Sequence, residues 1–356
     1  MNNPEHSDAH EPRLQTGRPW TALAVVIFVI IAGAVLAQLS LTLHPRFLKL
    51  DDSVASQKAI FERTPAHFDG VTDDIANWRN RVIIPYWLEG LTRATHLSYH
   101  QSYVLTRWLT ASLALAAFMF LVCRVLPVSV FAAAGAACWL IVSLVPCFLH
   151  IYEIPSDFLD AAFFSLLALY ALQRRHLAFA VTLFIGLLNR ESAIFALFLW
   201  FALYAFAGGW PRFLRECTWC GVLGVVGTAL VTYLRIVNAD HAGANGLQTF
   251  APAWFFAYNL GVLREWIAHP NFIHPYFYFG GYLALLTCLL AGQWRNLPRP
   301  MGRVFLAAGF IFLISVMSNN LDELRSFIPS LVLTTLVIIS IAVRQPARTV
   351  SELPAC

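Results

Sequence analysis

Three consecutive polar side chains, Asn189, Arg190 and Glu191, interrupt an otherwise apolar segment that covers residues 177–207. A guanidinium group and a carboxylate in such surroundings can act together on a phosphate ester. The carboxylate can accept a proton from an attacking hydroxyl group, and fixed guanidinium groups can neutralise the charge that develops on the departing phosphate. This segment therefore favours the transfer of a group from a phosphate leaving group to a hydroxyl acceptor.

A purely structural explanation of the same residues also exists. In a tight helical hairpin, Asn189 would cap the next helix, and Arg190 and Glu191 would form an ordinary interfacial ion pair. Further ionisable residues are expected at the same membrane level: Glu153, Asp157, Asp160, Asp322, Glu323 and Arg325. For Asp157 and Asp160, stabilisation of the start of a helix would be a sufficient explanation. Together, however, so many ionisable groups at one depth favour a polar chamber.

A long polar segment, 44–102, holds further candidates, among them Asp52, Asp69, Arg79 and Arg81. Segments of this length are uncommon unless they fold or carry function. The two arginines could recognise a phosphate group or equally hold an interfacial helix against lipid headgroups. Apolar residues recur at helical spacing in two parts of the segment, which we expect to lie on the membrane surface as amphipathic helices. These parts are 53–63 and 86–97.

The elements that position these residues follow from the composition. The 356-residue chain is 58% hydrophobic and 12% charged, with a mean hydropathy of +0.63, which excludes an ordinary soluble domain. The apolar runs are continuous and do not alternate, so they predict helices and not a β-barrel. We expect an all-α, polytopic bundle of about ten transmembrane helices. The predicted spans are 20–43, 103–123, 126–149, 156–172, 176–189, 192–208, 217–237, 275–293, 303–318 and 327–343.

The segment 177–207 is too long for one span and too short for two ordinary ones, so two short helices are expected. This division keeps the arginines of the short connections on one side, which predicts that both termini are cytoplasmic. The predicted organisation is then a cytoplasmic tail over 1–19, a membrane domain over 20–343 and a second tail over 344–356. Two large outer loops are predicted, at 44–102 and 238–274.

Several other chemistries lack support in the sequence. It contains no nucleotide phosphate-binding loop, no HExxH motif and no GxSxG motif. No basic stripe with interleaved aromatic residues is present, so we expect no nucleic-acid partner. The histidines lack the spacing of metal ligands, so no cofactor is predicted, although a divalent cation could accompany a phosphate substrate.

The layout of one early span and a long outer loop, together with three segments, resembles the bacterial GT-C superfamily of membrane glycosyltransferases. The segments are NWRNRVIIPYWLEGL, NRESAIF and DELRSFIPSLVLTTL. The chain is similar in particular to a polytopic branch that carries an Arg-x-Arg-hydrophobic-Pro segment and an Asn-Arg-Glu-Thr-like segment. The matching positions in this chain are Arg79, Arg81 and Pro85, and Asn189, Arg190, Glu191 and Ser192.

The resemblance implies an inner-membrane enzyme with a periplasmic active side, which moves a sugar from a polyprenyl-phosphate donor to a glycan or lipid acceptor. It also implies a catalytic carboxylate in the first outer loop, where Asp52 fits by position and Asp69 by its closeness to the Arg-x-Arg segment. The implied substrate-binding residues are Arg79, Arg81, Asn189, Arg190, Glu191 and Arg325. Glu191 is expected to orient Arg190.

Two rival functions use the same residues. A transporter or flippase for a lipid-linked or anionic solute would bind its substrate through the arginines without breaking a bond. A non-catalytic membrane partner in an envelope assembly would use them only for structure. Transporters often contain two related halves with broken helices at matching places. The sequence has no visible internal repeat, so it favours the transferase.

Overall fold

The computed structural model describes residues 19–42, 50–62, 81–148, 155–239, 252–268, 291–293, 297–318 and 324–344, and these parts are helical with short connections. The helices are α1 (Pro19–Thr42), α2 (Leu50–Glu62), α3 (Ile83–Thr95), α4 (Tyr99–Val125), α5 (Val130–Leu144), α6 (Pro155–Leu172), α7 (His176–Asn189), α8 (Ala196–Tyr204), α9 (Trp210–Ala239), α10 (Pro252–Ala268), α11 (Arg299–Ser318) and α12 (Ile328–Arg344). Three 3₁₀ turns lie at Val145–Phe148, Glu191–Phe195 and Leu324–Phe327.

Within the described ranges, six helical segments are long and apolar enough to cross a bilayer, so the chain is a helical multi-pass membrane protein. They are Thr21–Leu39, Tyr99–Val125, Pro155–Leu172, Trp210–Leu234, Arg299–Met317 and Arg325–Val343. Three shorter apolar helices, Val130–Leu144, His176–Asn189 and Glu191–Tyr204, fall where further spans were predicted. The predicted span 275–293 lies outside the described residues apart from 291–293.

Helix α6 lies at the centre of the bundle, and 78% of its most apolar window is buried. It packs against α4, α7, α8 and α12. Phe118 of α4 and Phe164 of α6 belong to the same buried core, and neither has any exposed surface. Because lipid is as apolar as these side chains, close packing holds such helices together more than exclusion of water does. The central position of α6 makes its first turn a fixed platform for polar groups.

The two predicted amphipathic helices of the first large loop are present as α2 and α3. Ile84 and Leu88 of α3 are buried against Tyr103 of α4 and Leu159 of α6, whereas Trp87 of α3 is 50% exposed. One apolar face therefore binds α3 to the end of the bundle at which α6 begins. The described helix α2 packs against α3 and α4 at the same end.

The segment 177–207 divides as the sequence predicts. Helix α7 ends at Asn189, Arg190 is extended with φ −160° and ψ 139°, and a 3₁₀ turn leads into α8. The extended residue breaks the helix, although its own N–H still bonds to Gly186 O at 2.8 Å. The break directs the Arg190 side chain away from the axis of α7 and toward α6.

Part of the predicted outer loop 238–274 is helical, because α10 occupies 252–268 of it. Pro252 stands at the first position of this helix, where its missing N–H and fixed φ are favourable. The Asn259 side chain donates a hydrogen bond to Val316 O, which attaches α10 to α11. The charged and aromatic residues of this segment masked a helical periodicity in the sequence.

Candidate functional site

Four separate parts of the chain meet at the end of the bundle where α6 begins: the residues before α3, the end of α7, the first turn of α6 and the 3₁₀ turn before α12. Two hydrogen bonds connect the first three of these parts. The Val82 N–H donates to Leu188 O at 3.0 Å, and the Asn189 side-chain amide donates to Ser156 O at 2.9 Å. Arg81, which is the described residue of the Arg-x-Arg segment, is therefore a neighbour of the Asn-Arg-Glu segment in space.

Arg190 is held by two carboxylates of α6. Its Nη1 lies 2.7 Å from Asp157 Oδ1 and 3.9 Å from Asp160 Oδ2. Asp157 and Asp160 are three residues apart on a helix, so they share one face. The Ser192 hydroxyl donates to Asp160 at 3.0 Å from Oδ1. The break after α7 thus connects to α6 through both residues that flank Glu191.

Two further arginines complete what we call the arginine–carboxylate cluster, which consists of Arg81, Asp157, Asp160, Arg190, Glu191 and Arg325. Arg325 Nη1 lies 4.0 Å from Asp157 Oδ2, and Arg81 Nη2 lies 3.9 Å from Glu191 Oε1. These separations exceed hydrogen-bond length, so the contacts are ion pairs held by charge alone. One carboxylate, Asp157, therefore faces two guanidinium groups.

The cluster is buried although it consists of charged groups. Arg190 and Arg325 are each 4% exposed, and the two aspartates are less exposed still. Glu191 is the most open member, with 35% of its side chain exposed. A buried charge is tolerated only where opposite charges compensate it. The alternation of three arginines with three carboxylates supplies that compensation.

The position of Arg81 shows how strongly these groups interact. The pKa of its guanidinium is lowered to about 10, mainly by burial and also by the nearby charges of Arg190 and Arg325, while Glu191 and Asp157 oppose this change. Arg81 stays cationic at neutral pH, because its lowered pKa is still far above 7. Its charge is therefore part of the field inside the cluster.

Three buried polar atoms beside the cluster lack a hydrogen-bond partner among the described residues. They are Ser156 Oγ, Asn189 Oδ1 and Ser326 Oγ, and each belongs to a residue adjacent in sequence to Asp157, Arg190 or Arg325. None of the three residues is more than 3% exposed. An unsatisfied buried polar group costs about 1–3 kcal/mol, and such groups usually have a partner. A partner for each of these atoms therefore has to come from outside the described residues, from water or from a bound polar group.

The structure brings together five of the residues predicted for substrate binding: Arg81, Asn189, Arg190, Glu191 and Arg325. Asp52 lies in α2, and its side chain is outside the described part of the structure. The other predicted residues lie outside the described residues altogether. They are Asp69, Arg79, Glu153, Asp322 and Glu323.

Two detailed expectations for this segment need correction. Asn189 does not cap the next helix, because it is the last residue of α7 and its amide group bonds to α6. The residue that orients Arg190 is Asp157, at 2.7 Å, whereas Glu191 lies beside Arg81. The extended backbone at Arg190 explains both, since it turns the Arg190 side chain away from that of its neighbour. Sequence reasoning missed Ser156 and Ser326, whose only signal was adjacency to charged residues.

A second buried charge lies near the opposite end of α6 and α7. Glu216 of α9 has a side-chain exposure of 1% and accepts hydrogen bonds from Trp200 Nε1 at 3.0 Å, Arg174 at 3.2 Å and Arg215 at 3.1 Å. Arg174, in the turn between α6 and α7, has a φ of 56°. Every contact of Glu216 is made by a donor of the protein itself. This arrangement is a structural connection between α8, α9 and the α6–α7 turn.

The described residues contain no group of three or more histidine, cysteine or acidic side chains that could hold a metal ion. Asp157 and Asp160 are engaged by Arg190 and Ser192, so they are poorly placed as metal ligands. No protein-family model, curated protein or solved structure matches the chain. The chemistry of the site must therefore be argued from its own geometry.

Proposed function

We propose that this chain transfers a sugar from a polyprenyl-phosphate donor to a hydroxyl group of a glycan or lipid acceptor, at the outer face of a bacterial cytoplasmic membrane. The observation that carries the proposal is the convergence of Arg81, Arg190 and Arg325 with buried carboxylates at one end of a membrane bundle. The family resemblance of the Arg-x-Arg and Asn-Arg-Glu segments supports the same reaction. A lipid-linked donor explains why the site belongs to a membrane protein.

The arginines would bind the phosphate of the donor. Guanidinium groups donate to phosphate oxygens in pairs, and their charge strengthens these hydrogen bonds. The hydroxyl groups of Ser156 and Ser326 are buried beside Arg325 and Asp157 and have no partner among the described residues, so they can add two neutral donors. Asp157 already accepts a hydrogen bond from Arg190, and we therefore assign it to positioning and not to proton transfer.

In the proposed reaction, the acceptor oxygen attacks the anomeric carbon of the sugar. The bond between that carbon and the phosphate oxygen breaks, and polyprenyl phosphate leaves with the electron pair. A carboxylate takes the proton of the acceptor hydroxyl group, and the arginines stabilise the negative charge on the leaving phosphate. Asp52 and Asp69 remain the two candidates for this base, on the strength of the resemblance.

The cluster is closed, since its arginines and aspartates are at most 9% exposed. Donor binding therefore requires a movement that opens it. Glu191 is the most exposed member, and its partner Arg81 lies two residues before the start of α3. We expect the donor to enter beside Glu191, with α3 shifting on the end of the bundle.

The proposal is tested by mass spectrometry of polyprenyl-phosphate sugars and envelope glycans in cells with the wild-type chain, without it, or with Asp52→Asn or Asp69→Asn. Glu62→Gln is the matched control, because Glu62 lies on α2 and its side chain is 46% exposed. A transferase predicts that one glycan loses a sugar while its lipid-linked donor accumulates, and that one aspartate variant reproduces the deletion. Unchanged lipid and glycan pools would refute transfer and favour transport or a scaffolding role.

A further inference from the structure

A crevice of about 450 Å³ lies between α1 and α4, close to the end where α1 finishes and α4 begins. Deeper in the bundle the two helices are in direct contact at Gly33, where an added Cβ would lie 2.1 Å from Ser112 Oγ. Trp108 Nε1 also donates to Ile30 O at 3.1 Å. The two helices are thus fixed together at these contacts and leave a gap beside Ala34, toward the end where α1 finishes.

The surroundings of the crevice are apolar and exposed. On α1, Ile31 is 58% exposed and Val35 is 48% exposed, and Val104 on α4 is 38% exposed. In a membrane bundle, apolar surfaces of this kind face lipid. A hydrocarbon chain can therefore enter the crevice directly from the bilayer along these surfaces.

One wall of the crevice carries a charge. Arg107 lies inside the apolar helix Tyr99–Val125, lines the crevice and is only 2% exposed. Long side chains on a helix point toward its N-terminus, and the guanidinium carbon of Arg107 accordingly lies 5.9 Å from the ring centroid of Tyr103. Arginine is rare within membrane-spanning helices and usually faces a ligand, a partner or a polar cavity.

The rim of the crevice adds polar groups at the same end: Gln38, His100 and Gln101. Asp51 Oδ1 lies 3.3 Å from His100 Nδ1, so one carboxylate is also close to the rim. The Asp51 side chain is 82% exposed, and water screens its charge far more than that of the buried Arg107. The cationic group inside the crevice therefore dominates the recognition of a bound headgroup.

We propose that this crevice binds one membrane glycerophospholipid, with its phosphate at Arg107 and Gln101 and one acyl chain along Ala34 and Val104. An apolar slot with a buried arginine near one end matches a hydrocarbon chain that ends in a phosphate, because guanidinium groups form strong hydrogen bonds to phosphate oxygens. The site lies on the α1–α4 surface, and the proposal is independent of sugar transfer at the arginine–carboxylate cluster.

A second crevice provides an internal comparison. It runs along α9, has a volume of about 780 Å³ and is lined by glycines, threonines and apolar residues, with no charged side chain among its described lining residues. It includes Ala229, which is exposed as Ala34 is. If hydrocarbon alone determined lipid binding, both crevices would retain lipid. If the phosphate matters, only the crevice that contains Arg107 would discriminate between headgroups.

The test is native mass spectrometry of the full chain in detergent micelles. Phosphatidylglycerol is compared with diacylglycerol of the same acyl chains and with undecaprenyl phosphate. We expect the wild type to retain one phosphatidylglycerol molecule. Arg107→Gln should weaken its binding about tenfold or more, since a hydrogen bond to a charged group is lost. Ala34→Phe should weaken it similarly by filling the crevice, whereas Arg107→Lys and the control Ala229→Phe should retain it.

Three results would overturn the proposal. Diacylglycerol could bind as well as phosphatidylglycerol, which would leave no role for the phosphate. Ala229→Phe could remove the lipid as effectively as Ala34→Phe, which would place the lipid elsewhere. Undecaprenyl phosphate could displace phosphatidylglycerol at equal concentration, which would assign the site to a polyprenyl lipid. Because Ala34 is exposed, its substitution remains informative even where Arg107→Gln does not fold.

Discussion

The Arg190 guanidinium donates a 2.7 Å hydrogen bond to Asp157, and this pair joins the break after α7 to the first turn of α6. Both side chains are at most 5% exposed. The pair is therefore a desolvated salt bridge at the most enclosed helix of the bundle. Its geometry determines where the neighbouring charges of Arg325 and Asp160 can lie, because both of them contact this pair.

Removal of one partner of this pair should be strongly destabilising. Arg190→Ala removes the nearer of the two guanidinium groups that face the buried Asp157 and leaves only the more distant Arg325, so the expected loss is about 3–5 kcal/mol of the free energy of unfolding. The double substitution Arg190→Gln with Asp157→Asn removes both charges and should cost less than Arg190→Ala alone. Thermal unfolding of the purified variants in detergent measures both effects. If the losses of the single variants Arg190→Gln and Asp157→Asn add up to the loss of the double variant, the direct pairing is contradicted.

Substitution of Ser156 or Ser326 by alanine should have opposite effects on stability and on function. Ser156→Ala removes a buried hydroxyl group without a partner among the described residues, so stability should stay unchanged or rise by about 1 kcal/mol. If the hydroxyl group recognises the donor, sugar transfer in cells should fall. Ser165→Ala on the same helix is the control, because its hydroxyl donates to Ala161 O at 2.8 Å. It should lose stability and keep activity.

A drop in stability for Ser156→Ala, with activity unchanged, would show that this hydroxyl group is structural. The same pair of measurements applies to Ser326→Ala, which neighbours Arg325 instead of Asp157. A matching result at both serines would indicate one ligand-binding region that includes the ends of α6 and α12.

Gly33 should be essential for the contact between α1 and α4. An added Cβ would lie 2.8 Å from Ser112 Cα, so backbone as well as side chain would have to move. We expect Gly33→Ala to lower the melting temperature, although alanine is intrinsically the better helix former by about 1 kcal/mol. Gly309→Ala is the control, because nothing lies within 4 Å of a Cβ there, and it should be neutral or stabilising. Equal behaviour of the two variants would refute the close contact.

Much of the fold is visible in the sequence, because apolar run length and helix-breaking residues act locally. Helix α7 falls at the predicted residues 176–189, and the break after it follows from the length of the segment alone. The capping box of Ser98 and Gln101 marks the start of α4 in the same local way. Helix α10 was missed because its polar and aromatic residues weaken the apolar pattern on which membrane spans are recognised.

The candidate site is predictable only in part. The shared membrane level of Asp157, Arg190 and Arg325 follows from the predicted topology, since each of them lies at the outer end of a different predicted span. The choice of partners does not follow from it. Asp157 is 33 positions from Arg190, and only the packing of α6 against α7 and the extended backbone at Arg190 bring the two together. In the sequence, Glu191 is the acidic residue nearest to Arg190, but the backbone geometry places its side chain beside Arg81 instead.

The two charged regions of α6 and α7 differ in a way that bears on function. The arginine–carboxylate cluster at one end lies beside buried polar atoms that have no partner within the part of the chain that the structure describes, whereas Glu216 at the other end accepts three hydrogen bonds from the protein. A region that is fully satisfied by its own residues resists opening, and one with unsatisfied groups gains from a ligand. We therefore expect substrate access from the end that carries Arg190.

The Glu216 region should accordingly behave as a structural element. Glu216→Ala leaves the buried Trp200 Nε1 without its acceptor and should cost about 1–3 kcal/mol. Glu216→Gln keeps an acceptor for Trp200, while Arg174 and Arg215 can turn to water because their side chains are 39% and 64% exposed, so its cost should be smaller. Thermal unfolding monitored by tryptophan fluorescence measures the difference, and sugar transfer by the folded Glu216→Gln variant should match the wild type. Loss of transfer in a variant of normal stability would instead assign a functional role to this end of the bundle.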